Sequence, residues 1–457
     1  MKRLHLARVV TRVLFIMAAA AGLMAQTKVA NPFAAYEGTY RLSTGETILV
    51  SRVGVIEEVA RPYFLDWQTG RYGYLQAKEG DRFVSSGTPV AKPDAPVQTE
   101  IIFVRDAGGS VNGLVIRESG LAERKAVRVA LYEDRETTFA NGEVWLAATL
   151  RRPMRNGPFP AVVLVHGSGP GERTQLSLMN SFFAGLGLAV LTYDKRGCGA
   201  SGGDWKKVDL DVLAQDALAG VRWLRAQSGI DSDRVGLWGI SQGGWITPLA
   251  GSLDADVSFV MNSSGPATSL RRQDTFNMAN TLKYSGFTEE EIGLVMKGLN
   301  LLYDYGQGKA SAEALDALMD QARSHPKLKD LAMPPAKDIS VEAMYARQKI
   351  GDPAWYFHMN PDNDGLAPYE RLRCPVLVTY GRLDYSVPVE ESVKLLADLA
   401  AKSGQKNLNV NVISDSGHGY LLIQEKAPMS PIVPMTISRA YFAAIESWLK
   451  ENRIIGN

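Results

Sequence analysis

The stretch from Arg234 to Ala250 constrains the fold more than any other. Arg234-Val235-Gly236-Leu237-Trp238 reads as an apolar strand and Gly244-Trp245-Ile246-Thr247-Pro248-Leu249-Ala250 as a helix, with only Gly239-Ile240-Ser241-Gln242-Gly243 between them. A strand that runs straight into a helix bends sharply, which requires small residues two positions either side of the bend. Gly239 and Gly243 meet that requirement and leave Ser241 at the apex. Its hydroxyl then stands clear of the sheet edge, where the first N–H groups of the helix point. A chain with 43 glycines also produces such a pentapeptide as an ordinary turn. The apolar strand ahead of it favours a nucleophile.

A serine hydroxyl needs a base, and the base needs an orienting carboxylate. Of the five histidines, His5 lies in an export-like segment, His166 precedes the serine, and His325 and His358 fall in a helical stretch. His418 remains, in the glycine-flanked loop Asp415-Ser416-Gly417-His418-Gly419 after the alternating strand Leu408, Val410, Val412. The apolar strand Pro375-Val376-Leu377-Val378-Thr379-Tyr380 leads to Gly381-Arg382-Leu383-Asp384, so Asp384 is a carboxylate at a strand's C-terminal end. Asp415 is its rival. Lying in the histidine's own loop, it is the less suitable partner, and the order Ser241, Asp384, His418 follows.

Two more motifs close apolar strands. Ala161-Val162-Val163-Leu164-Val165 ends in His166-Gly167-Ser168-Gly169-Pro170-Gly171, and a later strand ends in Tyr193-Asp194-Lys195-Arg196-Gly197-Cys198-Gly199-Ala200-Ser201. With these in order, the chain from about Val144 resembles the α/β-hydrolases, and Gly171-Glu172-Arg173 is similar to a stretch of secreted esterase-like members. The resemblance implies an α/β fold, a mostly parallel sheet with a helical lid insertion. It also implies oxyanion donors in the backbone N–H groups of Gln242 and Ser168. His166 is expected to brace the Ser168 loop, with Asp194 and Arg196 holding their own turn against it. The resemblance places Cys198 and Cys374 at opposite edges of the sheet, so two free thiols are expected.

Lys and Arg number 50 against 49 Asp and Glu, so no net field draws nucleic acid or an acidic surface. There is no C-x-x-C and no H-E-x-x-H, and the serine chemistry requires neither metal nor cofactor. Residues 1–25 read as an export signal: Lys2, Arg3, Arg8 and Arg12 precede a nine-residue apolar run, Val13 to Ala21, too short to span a bilayer. A periplasmic or secreted protein with no stable membrane span after cleavage is expected.

Residues 31–135 have a different texture. Short alternating or aromatic runs recur about every ten residues between turns, the pattern of a small antiparallel β domain. Its aromatics Tyr63, Phe64, Trp67, Tyr72 and Tyr74 suit cross-strand core pairs better than a ligand surface. Glu133-Asp134-Arg135-Glu136 reads as a charged joint, with the catalytic domain over 140–457 and its antiparallel edge beginning at Val144. Leu210, Leu213, Ala217, Leu218, Val221 and Leu224 keep helical spacing. Between about 268 and 373 the strand–helix alternation stops. Thr288-Glu289-Glu290-Glu291 has the form of a capping box, and a second helix is expected around Ala314 to Arg323. The resemblance makes this insertion a lid. His358, among Trp355, Tyr356 and Phe357, reads as structural.

The expectation is a serine hydrolase acting on small-molecule acyl esters. A peptidase or amidase of the prolyl oligopeptidase-like kind is the alternative, although about one hundred β residues are too few for a propeller. A binding protein built on an inactive hydrolase is the alternative from another class, and the ordered triad argues against it.

Overall fold

The computed structural model describes residues 31–54, 60–88, 95–329 and 360–456. The export-like segment and His358 with its aromatic neighbours lie outside them.

The first sheet contains β1 (Gly38–Leu42), β2 (Thr47–Val53), β3 (Arg61–Asp66), β4 (Tyr72–Tyr74), β5 (Gln76–Ala77), β6 (Arg82–Ser85), β7 (Thr99–Arg105), β8 (Val111–Glu118) and β9 (Arg124–Val129). Their antiparallel order is β4-β3-β2-β1-β9-β8-β7-β6-β5. The two outermost strands are separated in the chain by Leu75 alone, so the edges lie within about 7 Å and the sheet curls nearly into a barrel. Alternation along the strands divides the side chains. Ile48, Val50, Phe64 and Phe103 fill the barrel, while Leu49, Tyr63, Leu65 and Tyr72 point outward into a second apolar cluster.

That second cluster belongs to both halves of the molecule. The second sheet contains β10 (Tyr132–Asn141), β11 (Val144–Pro153), β12 (Phe159–Val165), β13 (Ala189–Tyr193), β14 (Ile230–Ile240), β15 (Val260–Ser263), β16 (Val376–Gly381) and β17 (Leu408–Ile413). It is ordered β10-β11-β13-β12-β14-β15-β16-β17, antiparallel on both sides of β11 and parallel from β13 to β17. The described helices are α1 (Ser177–Gly185), α2 (Leu210–Arg225), α3 (Gly243–Leu253), α4 (Leu270–Tyr284), α5 (Glu289–Gly306), α6 (Ala312–Ser324), α7 (Ala367–Arg371), α8 (Val389–Ser403) and α9 (Arg439–Glu451). Residues of α2, α3 and α8 pack on one face of the sheet, and those of α1 and α9 on the other. The barrel packs against α1 and α9, with Trp67 wedged between Phe182 and Phe442 at ring separations of 5.9 and 5.1 Å. The aromatics of the first domain are therefore core, but much of that core lies between domains.

The charged joint expected at Glu133–Glu136 is instead part of β10, the edge strand of the second sheet. Its acidic residues point outward and pair with the next strand, Asp134 with Arg151 at 2.7 Å and Glu133 with Arg152 at 2.6 Å. An exposed edge strand carries charge for the same reason a linker does, which is why composition could not separate the two. α2 buries the expected apolar residues. In the insertion, Thr288 and Glu291 form the capping box of α5, and α6 covers the second expected helix. α4 was not legible: it buries only Leu270 and Leu282, so no apolar stripe announces it. Among the described residues no helix is long and apolar enough to cross a membrane.

Candidate active site

Parallel strands present all their C-terminal ends along one edge. Ser241 follows β14, and Asp384 and the His418 loop follow β16 and β17. Strands stand about 4.8 Å apart, so serine and aspartate are separated by about 10 Å and the histidine has to reach back between them. The 414–419 loop does so: the Gly419 N–H donates to Ser264 Oγ at the end of β15 (3.3 Å), and a Cβ on Gly419 would lie 3.7 Å from Ile240 of β14.

Ser241 has φ +56°, the left-handed region that costs a side-chain-bearing residue energy. Close packing maintains it. A Cβ at Gly239 would strike the Gly243 carbonyl, and one at Gly243 would lie 2.6 Å from the Val165 carbonyl at the end of β12. The Ser241 N–H donates to the Ser263 carbonyl at 2.9 Å, anchoring the elbow to β15.

The fully buried Asp384 carboxylate is held on both sides. Oδ1 accepts the backbone N–H groups of Ser386 (2.8 Å) and Val387 (3.1 Å), and Oδ2 lies 2.8 Å from His418 Nδ1. Burial disfavours charge on the His418 ring, but the Asp384 charge and hydrogen bond outweigh it and raise its pKa above the ordinary histidine value. With Nδ1–H given to Asp384, the neutral ring keeps Nε2 as its acceptor. The rival Asp415 is used elsewhere, accepting the Ser438 hydroxyl at 2.6 Å beside the start of α9. Among the described residues, the direct hydrogen bond of the site is the His418–Asp384 pair, and none joins Ser241 to His418. A contact of that kind often tightens only when substrate is bound.

Gln242 opens α3 immediately after the serine. Ser168 is exposed between the buried Gly167 and Gly169, and a Cβ on Gly167 would lie 3.5 Å from that of Ser241. The loop is braced as expected by His166. Its Nε2 lies 2.6 Å from the Tyr193 carbonyl and its Nδ1 2.9 Å from Gln175 Oε1. Burial lowers the His166 pKa to about 4, so the ring is neutral.

The D-K-R-G turn departs from expectation. Asp194 does hold the region, accepting the N–H and Nε of Arg173, each at 3.0 Å, and the N–H of Ala200 at 3.1 Å. Arg196 turns away from the Ser168 loop into the core, bidentate to Asp216 of α2 at 2.6 and 2.7 Å. Lys195, between them, is the residue that reaches the loop. Its motif position reads as unspecified, and only the alternation of side-chain direction at the strand end could have pointed to it. Cys198 and Cys374 are both free thiols, as expected.

A mixed sheet in this order, with a serine elbow and a histidine–carboxylate pair on its C-terminal edge, defines a serine hydrolase of the α/β-hydrolase superfamily, here with an N-terminal β-rich domain. Within that class the chain belongs to the X-Pro dipeptidyl-peptidase (S15 family), whose family model matches residues 141–420. It is 28% identical over 348 residues to esterase EstD of Thermotoga maritima, covering 72% of this chain and 71% of that protein. Among solved structures it is similar to the Pyrococcus furiosus esterase Pf2001, with 18% identity, 71% of this chain and 92% of that one covered, and a TM-score of 0.44. It is also similar to the α/β-hydrolase GrgF of a Penicillium species, with 19% identity, 63% and 91% covered, and a TM-score of 0.40.

Proposed function

We propose that the protein cleaves carboxylic esters of small acyl groups through an acyl-enzyme intermediate. The observation that carries this reading is the Asp384–His418 pair at 2.8 Å, its carboxylate buried and twice anchored, on the edge that bears the Ser241 elbow. In this reading Ser241 attacks the carbonyl carbon as His418 Nε2 takes its proton. The Gln242 and Ser168 N–H groups receive the oxyanion, and His418 returns the proton to the departing alkoxide. Water then repeats the sequence to release the acid and free Ser241. Asp384 keeps the ring in the productive tautomer and stabilises its charged form. Ser241→Ala should abolish hydrolysis and fluorophosphonate labelling while leaving the thermal transition nearly unchanged. Retained turnover in that variant would remove the nucleophile assignment.

Ester rather than peptide is supported by the relative named an esterase, and the family name favours the second reading, a dipeptidyl-peptidase. Among the described residues the N-terminal domain forms one curled sheet rather than the propeller of prolyl oligopeptidase-like enzymes. Short to medium p-nitrophenyl esters should be cleaved at least about a hundredfold more efficiently, in kcat/KM, than X-Pro anilides. The reverse order in parallel assays would put the peptidase reading first. The helical insertion supports a lid role: from α4, Gln273 and Asn280 donate to the Ser386 and Tyr385 carbonyls beside Asp384, each at 2.9 Å. Residues 1–25 support export, and mass spectrometry of the secreted or periplasmic protein would locate the cut.

A further inference from the structure

We propose that Lys195 is the residue that positions the oxyanion hole, its ammonium holding from behind both backbone segments that carry the donors. The inference rests on the reading of Gln242 and Ser168 as those donors. Lys195 is 3% exposed, a burial that lysine rarely tolerates without partners. An ammonium has three protons to place. Here they go to the Gly167 carbonyl at 2.6 Å, the Gly169 carbonyl at 2.8 Å and Gln242 Oε1 at 3.0 Å. The first two acceptors flank Ser168 and the third belongs to the residue after the nucleophile. A single cation thus ties together two segments separated in sequence by more than seventy residues.

Peptide geometry converts that grip into direction. In a trans peptide the carbonyl and the N–H lie in one plane and point in opposite directions. Drawing the Gly167 carbonyl inward to Nζ therefore turns the Ser168 N–H outward, which agrees with a buried Gly167 and an exposed Ser168. The ammonium also polarises the peptide it binds, making that N–H a better donor to a developing anion. Nζ lies 5.4 Å from the centre of the Trp205 ring, and among the described residues no carboxylate is within ion-pairing distance of it. The three oxygens are thus its principal partners, and a neutral amine would set its lone pair against one of them.

Burial, the main cause, lowers the Lys195 pKa to about 8, with the nearby Cys198 and Asp216 opposing it. The other titratable neighbours do not change charge near that pH. His166, on the same loop, is held neutral, and burial keeps the Cys198 thiol above its ordinary value. Loss of the Lys195 proton should release one of the three oxygens and loosen the hole.

The test compares wild type with Lys195→Met, which keeps the length and apolar stem but not the cation. In a folded variant kcat for a p-nitrophenyl ester should fall about 10- to 100-fold with KM changed less than threefold. The inhibition constant for a trifluoromethyl ketone, which places an oxyanion in the hole, should rise in parallel. Wild-type kcat should also decline as pH rises through about 8, a limb that Lys195→Met lacks. A folded Lys195→Met with kcat within threefold of wild type, or with reduced kcat and an unchanged inhibition constant, would overturn the proposal. If the variant does not fold, a wild-type kcat flat from about pH 7 to 10 overturns it and a decline centred near 8 supports it. Failure of the underlying site reading looks different: Ser241 would then escape fluorophosphonate labelling in the wild type.

Discussion

In the proposed mechanism Ser241 and Asp384 are single residues each prepared for one task. The serine sits in a strained backbone conformation that only its glycine-lined surroundings sustain, and the carboxylate spends one oxygen on backbone donors so that the other addresses His418. The pH dependence follows. As the proposed base His418 acts only when neutral, and because its pKa is raised, kcat/KM should fall as pH drops through a value above the ordinary 6.5. Asp384→Asn removes the charge that raises it. Turnover should then fall about 10³- to 10⁴-fold, and the residual activity should persist to lower pH than in wild type. An acid limb that stays in place in Asp384→Asn would show that Asp384 does not set the ring's pKa. The rival Asp415 offers a control, since Asp415→Asn should leave the limb where it is.

At the scale of elements, β13 is followed by three consecutive charged residues with three different destinations. Asp194 binds the 173 turn, Lys195 the Ser168 loop, and Arg196 the helix α2. The Arg196–Asp216 pair is almost wholly buried, with side chains 7% and 1% exposed, and Asn141 adds a donor to Asp216 at 2.8 Å. Removing one partner strands a desolvated charge. Arg196→Met should therefore cost about 3–5 kcal/mol, readable as a drop in denaturant midpoint, whereas Arg196→Met combined with Asp216→Leu should recover much of it. A single variant as stable as wild type would mean that the pair contributes nothing to holding α2 on the sheet.

For the whole molecule, the barrel is a structural partner of the histidine loop. Tyr72 N–H donates to the Met435 carbonyl (2.9 Å), Ile437 N–H to Gly70 (2.8 Å) and Met435 N–H to Gly87 (2.8 Å). The same 435–438 segment is bonded along its other edge to Tyr420 and Leu422, just beyond His418. The barrel thus grips the strand that in turn grips the loop. Because one apolar cluster spans both domains, the protein should unfold in a single calorimetric transition. Trp67→Ala should lower the stability of the whole by about 2 kcal/mol, allowing for its partial exposure. Two resolved transitions, or a Trp67→Ala effect confined to one of them, would mean that the barrel and the hydrolase fold separately.

What could be read from the chain alone was what is local along it. The strand, Gly-x-Ser-x-Gly bend and helix around Ser241 follow one another along the chain, and Gly239 is required by Gly243 four residues on, although Gly243 itself is required by the distant Val165 carbonyl of β12. The capping box at Thr288 spans three residues, and the α2 stripe repeats within a single helix. The order of Ser241, Asp384 and His418 was legible for a related reason, since each follows a strand whose apolar or alternating pattern is itself a local signal. Tertiary structure decided the rest. α4 has no apolar stripe, and the charge of β10 makes an edge strand look like a linker. Lys195 meets acceptors 26, 28 and 47 residues away, and the barrel meets the histidine segment across more than three hundred residues. A buried cation and an interdomain backbone bond depend on which distant groups share a dry space. No spacing in the chain encodes that until the sheets have packed.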